Sequence, residues 1–269
     1  MLILAVDTTS DKGGVGIFCD AECLASVPNE EPMNRYSVSL FEMVQQALAR
    51  ARLEPHQIDL YAAATGPGSF TGIRVGLAAT QAWAKAFECR GRGVSVLEAM
   101  VNKACQRAYQ EPLLSPGEEG TPRARAGEGL LPSQGSPQPD WFFPILDARR
   151  GEFYLGNFHR KPSESPDAER DHYEPADAGW VLNPERLRAF LDERVASGAS
   201  ATCLVRAHDQ AAIDLCATLP AAINCQPIEG TLMDSIARIA QREENSGRPR
   251  PDATLDAYYI RRPDAEIKS

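Results

Sequence analysis

Two aspartates stand where apolar runs stop. Leu2-Ile3-Leu4-Ala5-Val6 runs into Asp7-Thr8-Thr9-Ser10, and Phe142-Phe143-Pro144-Ile145-Leu146 runs into Asp147-Ala148-Arg149-Arg150-Gly151-Glu152. A carboxylate at the end of a buried strand, followed by hydroxyls and glycines, can orient a hydrated magnesium ion. Loop amides and hydroxyls then meet phosphate oxygens. The same residue types also make ordinary turns. Asp7, Thr8 and Thr9 form the candidate phosphate loop, and Asp147, Arg149 and Glu152 the second motif. As paired acids across a cleft, Asp7 and Asp147 would suit a phosphotransferase, but no obvious adenosine-binding glycine pair follows in the second half.

The loop Gly66-Pro67-Gly68-Ser69-Phe70-Thr71-Gly72, with Arg74 just beyond, is more specific. Its glycines and proline fix a tight backbone path, and Ser69 and Thr71 can cap the helix that follows. Free amides at that helix start could meet an anion or a partner's carboxylate. No Lys follows the glycines, so the loop is not a Walker loop, and the dinucleotide spacing is absent as well. No His-Glu-x-x-His is present. His56, His159, His172 and His208 stand alone, which reads as surface or polar core, and no metal ligand set is expected.

The elements that would hold these loops are legible as patterns. Leu2 to Val6 and Val15 to Phe18 read as strands of a hairpin around Asp7, and Phe142 to Leu146 with Phe153-Tyr154-Leu155 as a second hairpin around Asp147. Over 35–51, Leu40, Met43, Val44, Ala47 and Ala51 share one helical face. Leu60 to Ala64 reads as a strand feeding the glycine loop. A helix over 71–87 follows, with Gly72, Gly76, Ala78, Ala79, Ala82, Ala84 and Ala86 leaving its surface nearly flat. Gly76 costs about 1 kcal/mol of helix propensity relative to Ala. Close packing on its own sheet or against another subunit would each account for it. Helix-like stretches recur near 184–195, 208–218 and 231–244. Between Glu111 and Asp140 prolines and glycines crowd the chain and apolar residues almost vanish, the composition of a flexible insertion. Arg123 and Arg125 lie within it.

The 269 residues suit one large domain or two modest lobes, and 43% hydrophobic residues suffice for a core. The formal charge of −9 disfavours a protein that grips nucleic acid alone. Seven scattered cysteines read as small buried hydrophobes in a reducing compartment. Without a leader or a spanning run, the chain is expected to be cytoplasmic, with no membrane contact.

Four segments together carry a family resemblance. Ile3-Leu4-Ala5-Val6-Asp7-Thr8-Thr9 is similar to the start of TsaB (YeaZ)-family proteins. Gly66 through Leu77 is similar to that family's signature, and Asp147 through Tyr154 resembles a second family motif. Tyr259-Ile260-Arg261 with Ala265-Glu266 resembles its C-terminal ending. The resemblance implies an α/β ASKHA (actin-like, RNase H-like) fold, two related lobes with mixed sheets flanked by helices. The lobes would be 1–105 and 141–269, flanking the insertion 111–140, with the helix near 231–244 packing back on the first lobe.

It also implies a non-catalytic partner and activator of a TsaD-like catalytic subunit, joined by a TsaE-like ATPase. That complex transfers threonylcarbamoyl from its adenylate to the adenosine beside the anticodon of tRNAs reading ANN codons. Pairing is expected through the helices 35–51 and 71–87, with Leu40, Met43, Val44, Gly76, Ala79 and Trp83 at the interface. On that view Gly76→Leu weakens pairing and spares the fold. tRNA is met only through the complex, and the chain can form a homodimer when alone. No cofactor is expected to bind firmly; ATP or ADP and magnesium are expected at the complex interface. The catalytic paralogue's paired metal-binding histidines are missing, and Tyr36-Ser37 replaces a His-Ser pair common in the family. A free-standing ASKHA phosphotransferase and a homodimeric binding protein are the alternatives.

Overall fold

The structure is a computed structural model describing residues 1–20, 22–30, 35–109, 138–161, 172–196 and 198–246. Most of the Gly/Pro-rich insertion with Arg123 and Arg125, the turn near residues 249–252 and the C-terminal motif at 259–266 lie outside the described residues.

The chain writes one plan twice. The first half runs β1 (Leu2–Asp7), β2 (Gly14–Cys19), β3 (Glu22–Pro28), α1 (Tyr36–Ala51), β4 (Leu60–Gly66), α2 (Phe70–Ala86), β5 (Arg90–Ser95) and α3 (Val96–Tyr109). The second runs β6 (Trp141–Asp147), β7 (Phe153–Leu155), β8 (Phe158–Lys161), β9 (His172–Pro175), β10 (Trp180–Leu182), α4 (Pro184–Ala196), β11 (Ala201–Arg206), α5 (Gln210–Cys216), β12 (Asn224–Ile228) and α6 (Met233–Asn245). The first sheet has the order β3-β2-β1-β4-β5, the second β10-β7-β6-β11-β12, with β8 paired to β6 and β9. In each, the acid-bearing strand sits centrally, antiparallel to its hairpin partner and parallel to the strand on its other side.

Alternation along the central strands divides the core into three layers. Ile3 and Ala5 face an inner core, whereas Leu4 and Val6 face an outer one shared with α1 and α2. On β11, Leu204 joins the inner core, and Cys203 and Val205 the outer core beneath α4 and α5. The inner core is built by α3 and α6, which contact each other between the lobes. Helix α6, from the second half, lies on the first sheet against β1, β2, β4 and β5. Met233, Ile236, Ala237, Ile239 and Ala240 supply its buried face, and its polar rim is tied down by Arg92 Nη2 to Glu244 Oε2 at 2.7 Å and Lys103 Nζ to Asp234 at 2.7 Å. The mixed α/β sheets are those of the ASKHA fold. No helix among the described residues is long and apolar enough to cross a membrane.

Candidate functional site: the interlobe cleft and the outer helix face

Asp7 ends β1 fully buried. Its Oδ1 accepts hydrogen bonds from the Thr9 amide (3.0 Å) and the Thr9 hydroxyl (2.6 Å), closing a local turn, while Oδ2 has no hydrogen-bond partner. Three neighbours key this loop in place. Thr8 Oγ1 donates to the Gly72 carbonyl at 2.7 Å, the Ser69 amide to the Thr9 carbonyl at 2.7 Å, and Tyr36 Oη, from the first turn of α1, to the Ser10 carbonyl at 2.9 Å. Glycine is required at two contacts. A Cβ on Gly68 would come within 2.5 Å of the Thr9 carbonyl oxygen, and one on Gly76 would collide with Thr8 Oγ1. The signature loop is thus the socket of the Asp7 loop. Ser69 also caps α2 by accepting from the Gly72 amide at 3.2 Å. Thr71 is exposed, and Arg74 lies over the Phe70 ring, 3.8 Å from its centroid.

The second acid is placed differently. The Asp147 amide donates to Asp209 Oδ2 at 2.8 Å, while its own Oδ1 accepts from the Arg149 amide at 2.7 Å. Arg149 Nη1 lies 3.5 Å from Asp147 Oδ2. The turn passes through left-handed backbone at Arg149, Arg150 and Gly151, and the Ala148 amide closes it on the Glu152 carbonyl at 2.9 Å.

Between these loops lies a cleft of about 810 Å³, walled by Thr9 to Asp11, Pro67 to Phe70, Asp147 to Arg149 and the segment from Arg206 to Ala211. The last wall was not flagged from the sequence. Ala201-Thr202-Cys203-Leu204-Val205 ends in Arg206, the signal that marked Asp7 with the charge reversed. Arg206 is 2% exposed; its Nη2 donates to the Gly230 carbonyl at 3.1 Å and its Nε has no partner. Burial pulls its guanidinium down, opposed by the negative charges of Asp7, Asp209 and Asp11. His208 is likewise held below the ordinary histidine range by burial and by Arg206. Burial and the Asp7 charge push the Tyr36 phenol up.

These features have relatives. A family model described as TsaD, tRNA N6-adenosine threonylcarbamoyltransferase, matches residues 27–120. The tRNA threonylcarbamoyladenosine biosynthesis protein TsaB of Escherichia coli is 32% identical over 160 residues, 60% of this chain and 56% of that one. The Bacillus subtilis protein of the same name is 27% identical, over 58% and 71%. A solved structure described as YeaZ from Pseudomonas aeruginosa superposes with TM-score 0.64 at 19% identity, covering 96% of this chain and 99% of that one. The chain is similar to proteins of the TsaB (YeaZ) family. It spans about half the length of several curated relatives it matches.

Against the expectations for a TsaB-family chain, the helices are where the periodicity puts them, but the proposed interface side chains are not. Leu40, Met43 and Val44 are 3%, 6% and 6% exposed and pack on the chain's own first sheet. Gly76 is buried against Thr8, which decides between its two readings in favour of packing within the chain. Ala79 and Trp83 are partly buried against the same core, Trp83 with its ring centroid 6.0 Å from that of Tyr61. The apolar stripe that builds a helix is the one its own fold consumes. The outward face carries Val38 and Phe41, 79% and 62% exposed, with Ala78 and Ala82 exposed on neighbouring α2.

The described residues contain no group of three or more His, Cys, Asp or Glu able to hold a metal ion. The Asp7 charge acts on the buried Arg206 guanidinium, with no ion pair within 4.0 Å between them.

Proposed function

We propose that this chain serves the formation of threonylcarbamoyladenosine on tRNA as a non-catalytic subunit that docks on a TsaD-type transferase through the outer face of α1 and α2. The observation that carries this reading is that face. Val38 and Phe41 stand three residues apart on α1, and Ala78 and Ala82 four apart on α2, so each pair forms one exposed stripe. Large apolar side chains exposed beside a flat alanine ridge suit a close helix-on-helix contact. Curated relatives are named as threonylcarbamoyladenosine biosynthesis proteins, which supports the pathway. The TsaD family match at 27–120 includes both helices, which supports a partner of related build that pairs face to face. The net charge of −9 supports leaving the grip on tRNA to that partner.

Reconstitution tests this. A TsaD-type transferase, a TsaE-type ATPase, tRNA, ATP and threonylcarbamoyl-adenylate are combined with and without this chain. Modified nucleoside, read by mass spectrometry of digested tRNA, is expected only when the chain is present. Equal yield without it would overturn the proposal.

A further inference from the structure

The interlobe cleft is lined by charges of both signs, Asp11, Asp147 and Asp209 with Arg149 and Arg206. Arg149, Asp147 and Asp209 are engaged with one another and with their own turns. Arg149 Nη1 lies 3.5 Å from Asp147 Oδ2, and the Arg149 amide donates to Asp147 Oδ1 at 2.7 Å. The Asp209 oxygens accept from the Ala212 amide at 3.1 Å and the Asp147 amide at 2.8 Å. Arg206, on the second lobe, and Asp11, on the first, have no ion-pair partner within 4.0 Å among the described residues. Arg206 is 2% exposed, donates only from Nη2 to the Gly230 carbonyl, and leaves Nε sealed without a partner. A buried guanidinium so poorly matched is costly unless an anion completes it. Asp11 is exposed, and its carbonyl, not its carboxylate, holds the Asn29 amide group at 2.8 Å.

We propose that the cleft binds a free α-amino acid, whose carboxylate pairs with the Arg206 guanidinium and whose ammonium meets Asp11, so that the ligand bridges the two lobes. A planar carboxylate matches the guanidinium fork. One unpaired cation and one unpaired anion in the same cleft call for a ligand with one charge of each sign. His208 adds no second cation near neutral pH, since burial and Arg206 hold it below the ordinary histidine range. A phosphate or a nucleotide would bring at least two negative charges to a single unpaired cation and set them beside Asp11. Val96 and Leu146 line the same cleft and suit an apolar side chain, for which a volume of about 810 Å³ leaves ample room.

Calorimetric titration of the full-length protein with L-leucine, 4-methylpentanoate and 3-methylbutylamine tests this, because the three share an apolar chain and differ in their charged ends. Leucine is expected to bind with a Kd of about 0.1 mM or tighter. Removing its carboxylate should weaken binding at least about tenfold and removing its ammonium about fivefold, because Arg206 is buried and Asp11 exposed. Asp11→Asn, a change at the surface, should weaken leucine by the same factor of about five and leave 4-methylpentanoate unchanged. The ligand series and Asp11→Asn decide the matter without disturbing the buried arginine. No heat from leucine up to about 10 mM would overturn the proposal. So would 4-methylpentanoate binding as tightly as leucine, or inorganic phosphate or ATP with magnesium binding where leucine does not.

Discussion

Asp7 and Asp147 hold equivalent places in two sheets of the same strand order, yet one is sealed and the other open. Asp7 is fully buried, and its loop is clasped by Tyr36 of α1 and by Ser69 and Gly72 at the start of α2. The Asp147 side chain is 22% exposed, bonded to its own turn and to Arg149, with Asp209 as its anchor in the rest of the lobe. A repeated strand-end acid therefore does not mean repeated chemistry. The two carboxylates differ in burial and in what they hold. The first closes the turn on which the starts of α1 and α2 are pinned, and the second shapes the rim of the cleft.

The largest effect should come from removing the buried cation. Arg206→Met loses the charge that acts on Asp7 and the hydrogen bond to the Gly230 carbonyl, and is expected to lower stability by about 3 kcal/mol, read from urea unfolding. An unchanged midpoint would mean that Arg206 does not compensate Asp7. Gly76→Leu drives a side chain into Thr8 and should cost about 1–3 kcal/mol or more in the same assay. This replaces the expectation that it spares the fold. Asp147→Ala is the control on the open side. It loses a turn hydrogen bond near solvent and should cost about 1 kcal/mol or less. A loss as large as that of Arg206→Met would erase the contrast between the lobes.

The smallest effect concerns Asp140, whose carboxylate accepts from the Ser200 amide (2.9 Å) and hydroxyl (2.8 Å), joining the entry of β6 to that of β11. The Ser200 amide, then its hydroxyl, hold it below the usual carboxylate range. A depressed acid stabilises the fold above its unfolded pKa, and that contribution is lost as pH falls through the folded value. The side chain is 41% exposed, so the advantage over Asp140→Asn should be about 0.5 kcal/mol or less at neutral pH. It should vanish in acid. An advantage that grew in acid would contradict the sign.

How much of this the sequence carried depended on which residues had to be apolar. Long stripes and buried runs, as in α1, α2 and β1, show their period directly. The edge strand β5, Arg-Gly-Arg-Gly-Val-Ser, has no run to show, because only part of it is covered. Strand β3 is buried on alternate positions over only part of its length. β11 is buried throughout, but neither that strand nor Arg206 at its end was flagged, since a cation there is an unusual core residue. The direction of Gly76 was beyond sequence reasoning, since small residues mark close approach without saying by what.

We propose that a partner sits on the exposed face of α1 and α2. The direct measurement is the affinity of this chain for a TsaD-type transferase, by calorimetry, for wild type, Phe41→Asp and Ala78→Arg, with thermal unfolding of each. Both side chains lie outside the core, so both variants should melt within about 2–3 °C of wild type while binding at least about thirtyfold more weakly. Wild-type affinity in both variants, with the fold intact, would contradict the docking face.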